Sequence, residues 1–303
     1  MCTFYEQYTR FGNTITFFLQ QKLLKENDMK RSLLALALTA IATSSFAYDA
    51  QIDGGFTYFD FDSNAIDTAG QLDAKATFYF TPVQTKNGPL NEAAFLGHNS
   101  NAYGKYTYNY LDSEPFYDFD GKNTAEVDVH QIAGGLEYFY EQFYVNGEIG
   151  FGQSKTEVTV GGNKFKSDDD VTTYRALVGF MPITNLLLAV GVDGYQGDGD
   201  DDANNFALKA KYVTPIGQAG QYLNLEADGS LGDVDNMTIG ADYYLNKTFS
   251  LGAAYNIQDD GDDNIDSFLI RTKYFLNDAF AVGGAIGFGD DIQSYNVNAT
   301  FRF

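Results

Sequence analysis

The sequence has no tryptophan, only five prolines and a single cysteine, Cys2. One cysteine cannot form an intramolecular disulfide, so the stability of the fold must come from another source. Basic residues are also scarce, since 19 Lys and Arg stand against 41 Asp and Glu and leave a net charge of −22. Without a basic stripe to release counterions from phosphates, the chain is not expected to bind nucleic acid.

Long hydrophobic runs are missing too. Beyond residue 48 the sequence contains no run of 18 apolar residues and no convincing stretch of helical period, so no membrane-spanning helix is predicted there. Aromatic residues, in contrast, are abundant. The 22 Tyr and 26 Phe give the chain large apolar surfaces to bury, which argues against disorder despite the high charge.

Residues 29–47, MKRSLLALALTAIATSSFA, have the organisation of a secretory signal peptide. A positive segment precedes a short apolar one, and Ser45-Phe46-Ala47 is a small-x-small cleavage site. We predict that translation starts at Met29, so that residues 1–28 are an upstream extension and not part of the native protein. Removal of 1–47 takes away five basic and three acidic residues, and the mature chain 48–303 keeps 14 basic and 38 acidic side chains, a net charge of −24.

The last residues of the chain introduce the pattern that dominates the rest. In 295–303 Tyr, Val, Ala, Phe and Phe alternate with Asn, Asn, Thr and Arg, which is typical of a strand with one apolar and one polar face. Segments of this kind, of about ten residues each, have the length that a tilted strand needs to cross a bilayer. There are fourteen: 51–61, 71–80, 102–111, 126–139, 143–153, 171–181, 186–195, 203–213, 222–231, 236–245, 249–257, 266–275, 280–288 and 295–303.

These segments predict an all-β fold over 48–303, a transmembrane antiparallel up-and-down β-barrel of fourteen strands. Twelve strands are the alternative if 81–101 or 154–170 divides differently. Closure of a barrel pairs every backbone polar group in lipid and leaves no edge, which supplies the stability that disulfides do not.

The connections between the strands differ in charge according to their parity. The odd-numbered ones (62–70, 112–125, 154–170, 196–202, 232–235, 258–265 and 289–294) carry 22 acidic and four basic residues, whereas the even-numbered ones carry three acidic and two basic residues. A soluble sandwich has no reason to segregate charge in this way, but a membrane barrel has two rims that face different compartments. We therefore predict a bacterial outer-membrane protein with an acidic extracellular rim and with both termini at the periplasmic rim.

A family resemblance follows from these features. The signal peptide, the alternating strands, the closing Phe301-Arg302-Phe303 and the segment Gly88-Pro89-Leu90-Asn91-Glu92-Ala93-Ala94-Phe95-Leu96 resemble the putative general porins of Gram-negative bacteria. The resemblance implies a passive channel for small hydrophilic solutes, and it supplies no assigned functional residues.

The polar face of the strands is expected to line the pore. Its charges balance, with eight of each sign, which a water-filled interior tolerates and a packed core does not. The cations are Lys75, Lys105, Arg175, Lys209, Lys211, Arg271, Lys273 and Arg302, and the anions are Asp53, Asp73, Glu137, Glu148, Asp193, Glu226, Asp228 and Asp242. Lys209 and Lys211 precede Glu226 and Asp228 by one strand, which predicts either a transverse field or ion pairs that brace the wall.

Two aspartate clusters form an expected acidic outer rim. They are Asp198, Asp200, Asp201 and Asp202, followed by Asp259, Asp260, Asp262 and Asp263. An EF-hand template fails because position twelve of the first cluster is Lys209, so no metal site is assigned. Diffuse binding of Mg²⁺ or Ca²⁺, bridging to lipopolysaccharide phosphates, and a solvated loop kept open by charge repulsion are both compatible with these clusters.

No enzyme and no cofactor are predicted. The mature chain has two histidines, His98 and His130, and no nucleophile motif accompanies either. The predicted function is an outer-membrane porin for passive diffusion of small hydrophilic solutes with a weak preference for cations, in contact with outer-membrane lipid and lipopolysaccharide. The alternative is a non-conducting structural or adhesive barrel whose acidic loops bind cations.

Two long connections add structural expectations. Segment 81–101 contains helix formers and the apolar pair Phe95 and Leu96, which predicts a short helix or a turn tucked against the barrel mouth. Segment 154–170 is long enough either to fold inward as a constriction or to extend its hairpin outward.

Overall fold

The computed structural model describes residues 47–63, 65–86, 88–118, 121–198, 202–233, 235–259 and 264–303. The predicted extension 1–28 and all of the predicted signal peptide except Ala47 lie outside these residues. The described strands are β1 (Ala47–Phe61), β2 (Ile66–Gln84), β3 (Asn101–Ser113), β4 (Phe116–Asp118), β5 (Gly121–Tyr140), β6 (Phe143–Val160), β7 (Asn163–Ile183), β8 (Leu186–Gly197), β9 (Asp202–Pro215), β10 (Tyr222–Gly232), β11 (Asp235–Tyr244), β12 (Phe249–Asp259), β13 (Asn264–Asn277), β14 (Phe280–Gly289) and β15 (Ile292–Arg302).

Fourteen of these strands close into one antiparallel barrel. Each pairs with its neighbour in the chain, β3 pairs with β5, and β15 returns to β1 with Gln51 opposite Arg302 and Phe61 opposite Ile292. The fifteenth, β4, is a three-residue strand that pairs with the N-terminal end of β5. The fourteen-strand prediction is therefore confirmed and the twelve-strand alternative is wrong, because 154–170 completes β6 and β7 instead of forming a separate connection.

The period of two separates an apolar outer surface from a polar interior. On β5, for example, Ile132, Leu136 and Tyr140 point outward and are more than half exposed, while Glu137 between them is turned into the barrel. Large apolar side chains that would be buried in a soluble protein thus cover the outside, as a bilayer requires. Among the described residues, no helix combines the length and the hydropathy needed to cross a membrane.

Tyrosines of the outer face bond to polar groups near the extracellular ends of the strands. Tyr108 donates to Asp128 at 2.5 Å, and Tyr255 donates to Asp266 at 2.7 Å. His130 also lies on this outer face, stacked on Tyr108 and 2.9 Å from the hydroxyl of Tyr106. In a chain without tryptophan, these rings provide the amphipathic side chains that belong at the membrane interface.

Segment 154–170 extends outward, so an inward constriction by this segment is not formed. Strands β6 and β7 continue to a tight turn at Gly161 and Gly162, which have φ values of +57° and +81°. In this extension Lys164 and Lys166 pair with Glu157, and these two ammonium groups hold the pKa of the Glu157 carboxyl at about 2. The part of β7 before Val171 pairs with β6 alone, and its charged residues discourage edge-to-edge association.

We predict that loops 196–202 and 258–265 face the outside of the cell. An epitope inserted into either loop should be accessible to antibody on intact cells, because the termini and the short turns occupy the opposite rim. The control is the same epitope in the short turn 182–185, which should be accessible only after the outer membrane is permeabilised. Labelling of intact cells through 182–185, with both acidic loops protected, would reverse the assigned orientation.

Candidate functional site

The connection between β2 and β3 folds into the barrel. Its residues Leu90–Glu92 form a 3-10 helix that continues into the short helix α1 (Ala93–Leu96), which confirms the predicted helix. The helix ends where His98 adopts a left-handed φ of 49° and the Asn99 N–H donates to the Ala94 carbonyl at 2.9 Å. We call Gly88–Leu96 the plug.

Apolar residues of the plug pack against the inner wall at three places. They pack into three clusters: Leu90 with Phe275 and Ala281, Ala93 with Tyr48, Tyr79 and Val83, and Phe95 with Tyr144, Leu177, Met181, Leu187, Ala189 and Ala207. The partners on β13–β14 and on β1–β2 lie on neighbouring parts of the wall, separated by β15 alone, whereas those on β6–β9 lie across the ring. The plug therefore reaches from one side of the periplasmic mouth to the other.

Glu92 is the polar centre of the plug. Its side chain is only 2% exposed, and the Lys211 ammonium of β9 lies 2.9 Å from Oε2. The hydroxyl of Tyr244 on β11 donates to Oε1 at 2.5 Å. Asn91 adds a longer bond to the same hydroxyl at 3.3 Å. A carboxylate this deeply buried is stable only because the lysine and the tyrosine compensate its lost hydration.

The last strand holds the plug from the other side. Arg302 is 3% exposed, and its guanidinium donates to the Leu90 carbonyl at 2.9 Å and to Gln51 at 2.8 Å. The same guanidinium lies 4.5 Å from the ring centroids of Tyr48 and Phe275. The inward-facing residue of the terminal Phe301-Arg302-Phe303 motif is thus a plug contact as well as a strand residue.

Local geometry fixes the two ends of the plug. Gly88 has a φ of +97°, and a Cβ there would lie 2.6 Å from Leu96 Cδ1, so any larger residue would distort the turn. The Leu90 N–H donates to the Lys247 carbonyl at 2.8 Å in the β11–β12 turn. His98 stacks on Phe139, and burial lowers the pKa of its imidazole. The plug is therefore tied to the periplasmic turns as well as to the wall.

The sixteen charged residues expected to line the pore lie on inward-facing positions of their strands. Most form ion pairs that link strands not adjacent in the sheet. Lys105 pairs with Glu148 at 2.6 Å, Arg175 with Asp228 at 2.8 Å, Lys209 with Glu137 at 3.8 Å, and Arg271 with Glu226 at 2.5 Å and Asp242 at 2.8 Å. Lys273 lies 3.8 Å from Asp53, and Lys75 lies 4.4 Å above the ring of Tyr103.

The two interpretations of the β9–β10 charges are now distinguishable. Lys209 stands directly opposite Asp228 and Lys211 directly opposite Glu226, each pair with a closest N–O distance of 3.8 Å. Neighbouring opposite charges of this kind cancel at a distance, so they brace the wall and a transverse field between the two strands is not favoured.

Three of the eight predicted rim residues belong to the described chain. Asp198 follows β8 and accepts a bond from the Asp170 N–H at 3.3 Å, while Asp202 begins β9 and Asp259 ends β12. The other five, Asp200, Asp201, Asp260, Asp262 and Asp263, lie outside the described residues. Within the described chain, no group of three or more His, Cys, Asp and Glu side chains has a metal-binding arrangement.

Comparison with known proteins assigns the barrel to a family. The family described as putative general bacterial porin matches residues 28–303. The chain belongs to this family. As a family porin, it is a channel-like protein of the bacterial outer membrane. A comparison with curated protein sequences gave no match.

The chain is also similar to solved structures, and the first of these supports the same fold. The outer membrane protein Omp33 of Acinetobacter baumannii is 22% identical, with a TM-score of 0.58 over 85% of this porin and 99% of Omp33. The translocator domain of the autotransporter NalP from Neisseria meningitidis is 12% identical, with a TM-score of 0.47 over 93% of this chain and 98% of that domain. The KdgM porin, in complex with disordered oligogalacturonate, is 11% identical, with a TM-score of 0.40 over 84% and 99% of the two chains.

Sequence reasoning missed the residues that connect the porin wall to its plug. Glu92 was part of the family-like segment but was not a candidate pore residue, and neither was Tyr244. A signal was present in the sequence. At several periplasmic strand ends the alternation fails and both faces are apolar, as in Leu186-Leu187-Leu188 and Tyr274-Phe275-Leu276. Inward-facing apolar residues in a wet lumen predict that something packs on them.

We predict that Glu92→Gln loosens the plug. Lys211 loses its closest anion, and the hydroxyl of Tyr244 donates to a neutral amide, which costs about 1.5–3 kcal/mol for a charged hydrogen bond. The fraction of open channels in planar bilayers should therefore rise by about 10- to 100-fold. Glu137→Gln is a matched control, since Glu137 also accepts from a buried tyrosine, Tyr144, and faces a β9 lysine, but does not touch the plug. Equal effects of both substitutions would contradict a specific role of Glu92.

Proposed function

We propose that this porin conducts small hydrophilic solutes by passive diffusion, with a weak preference for cations, when the plug leaves the periplasmic mouth. The observation that carries the proposal is the contrast between the wall and the plug. The wall is held by a closed ladder of backbone hydrogen bonds, whereas the plug is held largely by side chains, such as Glu92 and Arg302, that water can solvate. Family membership supports transport rather than catalysis as the activity.

The plug also favours a second candidate function. A barrel whose periplasmic mouth is bridged by a packed plug fits a non-conducting structural or adhesive protein, with acidic loops that bind cations at the cell surface. In that case lipid and lipopolysaccharide would contact the outer face, and the lumen would not be a route for solutes. The two functions differ in what happens when the plug is removed.

Deletion of residues 88–97 from the refolded mature protein tests the first proposal. We expect steady ohmic conductance steps from the deletion variant and rare, brief openings from the wild type, because the deletion removes the contacts of Leu90, Ala93 and Phe95. Heat-modifiable migration on a gel serves as the folding control. A correctly folded deletion variant that stays silent in planar bilayers would favour the structural barrel.

The cation preference follows from where the unbalanced charge lies. The odd-numbered connections carry 22 acidic and four basic residues, a net charge of −18. The wall has eight charges of each sign, and Glu92 of the plug adds one negative charge. The extracellular vestibule should therefore concentrate cations, while the wall itself should discriminate little.

We predict that this preference fades with salt. The Debye length falls from about 30 Å at 0.01 M to about 3 Å at 1 M, so exposed rim charges are screened across that range and a buried charged constriction is screened much less. Replacing Asp198, Asp200, Asp201, Asp202, Asp259, Asp260, Asp262 and Asp263 by Asn should lower the reversal potential under a dilute salt gradient. It should barely change conductance at high salt.

The control for the rim variant removes one charge of each sign from the wall, with Lys209→Gln and Asp228→Asn combined. This double variant leaves the net charge unchanged and should keep the cation preference of the plug-deleted channel. Both variants are therefore measured in the background that lacks 88–97. Anion selectivity in that background would defeat the rim mechanism and would direct attention to Lys209, Lys211, Arg271 and Lys273.

A further inference from the structure

A chamber of about 750 Å³ lies inside the barrel on the extracellular side of the plug. Asn91 and Glu92 form part of its floor, and its walls come from β1, β2 and β9–β15. Its volume falls within the range of about 300–1,000 Å³ that is usual for sites enclosing a small ligand. Because Phe59 and Ser294, near the extracellular ends of β1 and β15, also line it, a solute reaches the chamber without passing the plug.

The chamber exists because one strand contributes almost no side-chain volume to the interior. The outward positions of β14 hold large residues such as Val282 and Ile286, while its inward positions are Ala281, Gly283, Ala285 and Gly287. A Cβ on Gly283 would lie 2.5 Å from Oδ1 of Asn298 on the next strand. The small residues thus leave a recess into which amide groups of β15 project.

Uncharged hydrogen-bonding groups dominate the upper part of this recess. Asn298 donates to Asn296 at 2.8 Å, and Asn296 donates to Thr57 at 2.9 Å, so that the three side chains form a chain across β15 and β1. On the facing wall, Asn256 donates to Ser267 at 3.3 Å. Asn296 uses its second N–H for the Phe56 carbonyl at 3.3 Å, and Asn256 accepts from Thr238 at 2.8 Å. Because an amide has two donors and two acceptor lone pairs, Asn298 and Asn256 each keep an N–H, and all three amide oxygens keep a lone pair, for a ligand.

The charged groups of the chamber are mostly engaged with one another. Arg271 bonds to Glu226 and Asp242, Lys211 bonds to Glu92, and Lys273 faces Asp53. Among the described charged groups that line the chamber, Asp73 alone has no cation within 4.0 Å. An anionic solute therefore finds no unpaired cation there and would have to break existing pairs, while a cation finds only the single carboxylate of Asp73.

An apolar patch completes the site. Phe59, Ser294, Gly287 and Leu269 stand side by side in one row across β1, β15, β14 and β13. Phe59 and Leu269 therefore present apolar surface at the same height, immediately above the row that holds Thr57 and Asn296. Hydroxyl groups on the rim of a ring and C–H groups on its face match this combination of neutral amides and apolar surface.

We infer that the chamber binds uncharged, hydroxyl-rich ring compounds, that is, saccharides of one or two rings. The inference rests on the proposed function, because it names the class of solute that would enter the same lumen. The neutral hydrogen-bond donors and acceptors of the chamber suit hydroxyl groups, because each hydroxyl can both donate and accept a hydrogen bond. The apolar row of Phe59 and Leu269 suits the C–H face of a pyranose.

Saturation-transfer NMR of the refolded mature protein in detergent tests the inference, with maltose as the probe and glutamate and lysine as charged comparators. Wild-type protein should give saturation transfer to maltose and little to either amino acid. Binding in the chamber does not require the plug to move, so this readout is independent of conductance. A silent channel that binds maltose would defeat the proposed diffusion function and leave the saccharide site standing.

Two variants locate the binding. Asn296→Ala combined with Asn298→Ala should weaken maltose binding about tenfold. The double variant loses one or two hydrogen bonds to the sugar, each worth about 0.5–1.5 kcal/mol. Ala285→Leu should abolish it by filling the recess, and it keeps the test decisive if the double variant does not fold. Gln131→Ala, in a separate cavity of about 250 Å³ across the lumen, is the control and should bind as the wild type does.

Two results would overturn the inference. The first is an absence of saturation transfer to maltose in folded wild-type protein. The second is binding that stays unchanged in both chamber variants or drops equally in Gln131→Ala. Preferential binding of glutamate or lysine would likewise reject a neutral solute and would point instead to the charged floor around Lys211 and Arg271.

Discussion

The structure depends on one constraint: a backbone in lipid has no partner for its N–H and C=O groups other than itself. The chain meets this constraint only when β15 reaches β1. There the Phe303 carbonyl accepts from the N–H groups of Asp49 and Ala50 at 2.7 and 3.2 Å, and the Phe303 N–H donates to Ala50 at 2.9 Å. Closure needs no disulfide, which explains how a chain with a single cysteine is stable. It also fixes which face of every strand turns inward.

A closed barrel of fourteen strands encloses more space than its own side chains fill, and the chain uses that space differently at different heights. Near the periplasmic rim the inward residues are apolar, such as Tyr48, Leu187 and Phe275, and the plug packs on them. Higher up the inward residues are charged and paired across the lumen. Beside these pairs the small residues of β14 leave an open chamber. The same alternating pattern thus produces a packed floor, a braced wall and a recess.

The sequence was sufficient for the features that depend on period two. Strand number and the parity of the faces follow from alternation, which also placed Lys209 and Lys211 on the strand next to Glu226 and Asp228; the register that pairs them came from the structure. Contacts across the lumen were not predictable in this way. The bond of Lys209 to Glu137 joins β9 to β5, and that of Lys211 to Glu92 joins a strand to the plug. Such contacts depend on barrel curvature and on the path of one connection, which no local pattern encodes.

The β6–β7 hairpin is also longer than the alternation of apolar and polar residues predicts. Segment 154–170 is too polar to resemble a membrane strand, yet it continues β6 and β7 because the backbone ladder extends into water without cost to its pairing. Hydropathy marks where a strand leaves the bilayer, and only the hydrogen-bond ladder marks where it ends. Charged residues such as Asp168 and Lys164 are therefore compatible with a strand, provided that they lie beyond the lipid.

The interactions of the wall and those of the plug differ in whether water can replace them, and under the proposed function this difference determines that the plug moves and the wall does not. A wall strand that separates in lipid leaves backbone groups with no partner, at a cost of several kcal/mol for each group. When the plug withdraws, hydrogen bonds to water replace those that Glu92, Lys211 and Arg302 make in the folded protein. Such a replacement changes the free energy by only about 0.5–1.5 kcal/mol for a bond between neutral groups and by somewhat more for a bond to a charged group. The apolar contacts of Leu90, Ala93 and Phe95 with the wall also resist withdrawal. None of them is part of the backbone ladder, so under the proposed function opening displaces the plug within an intact barrel, without any separation of strands.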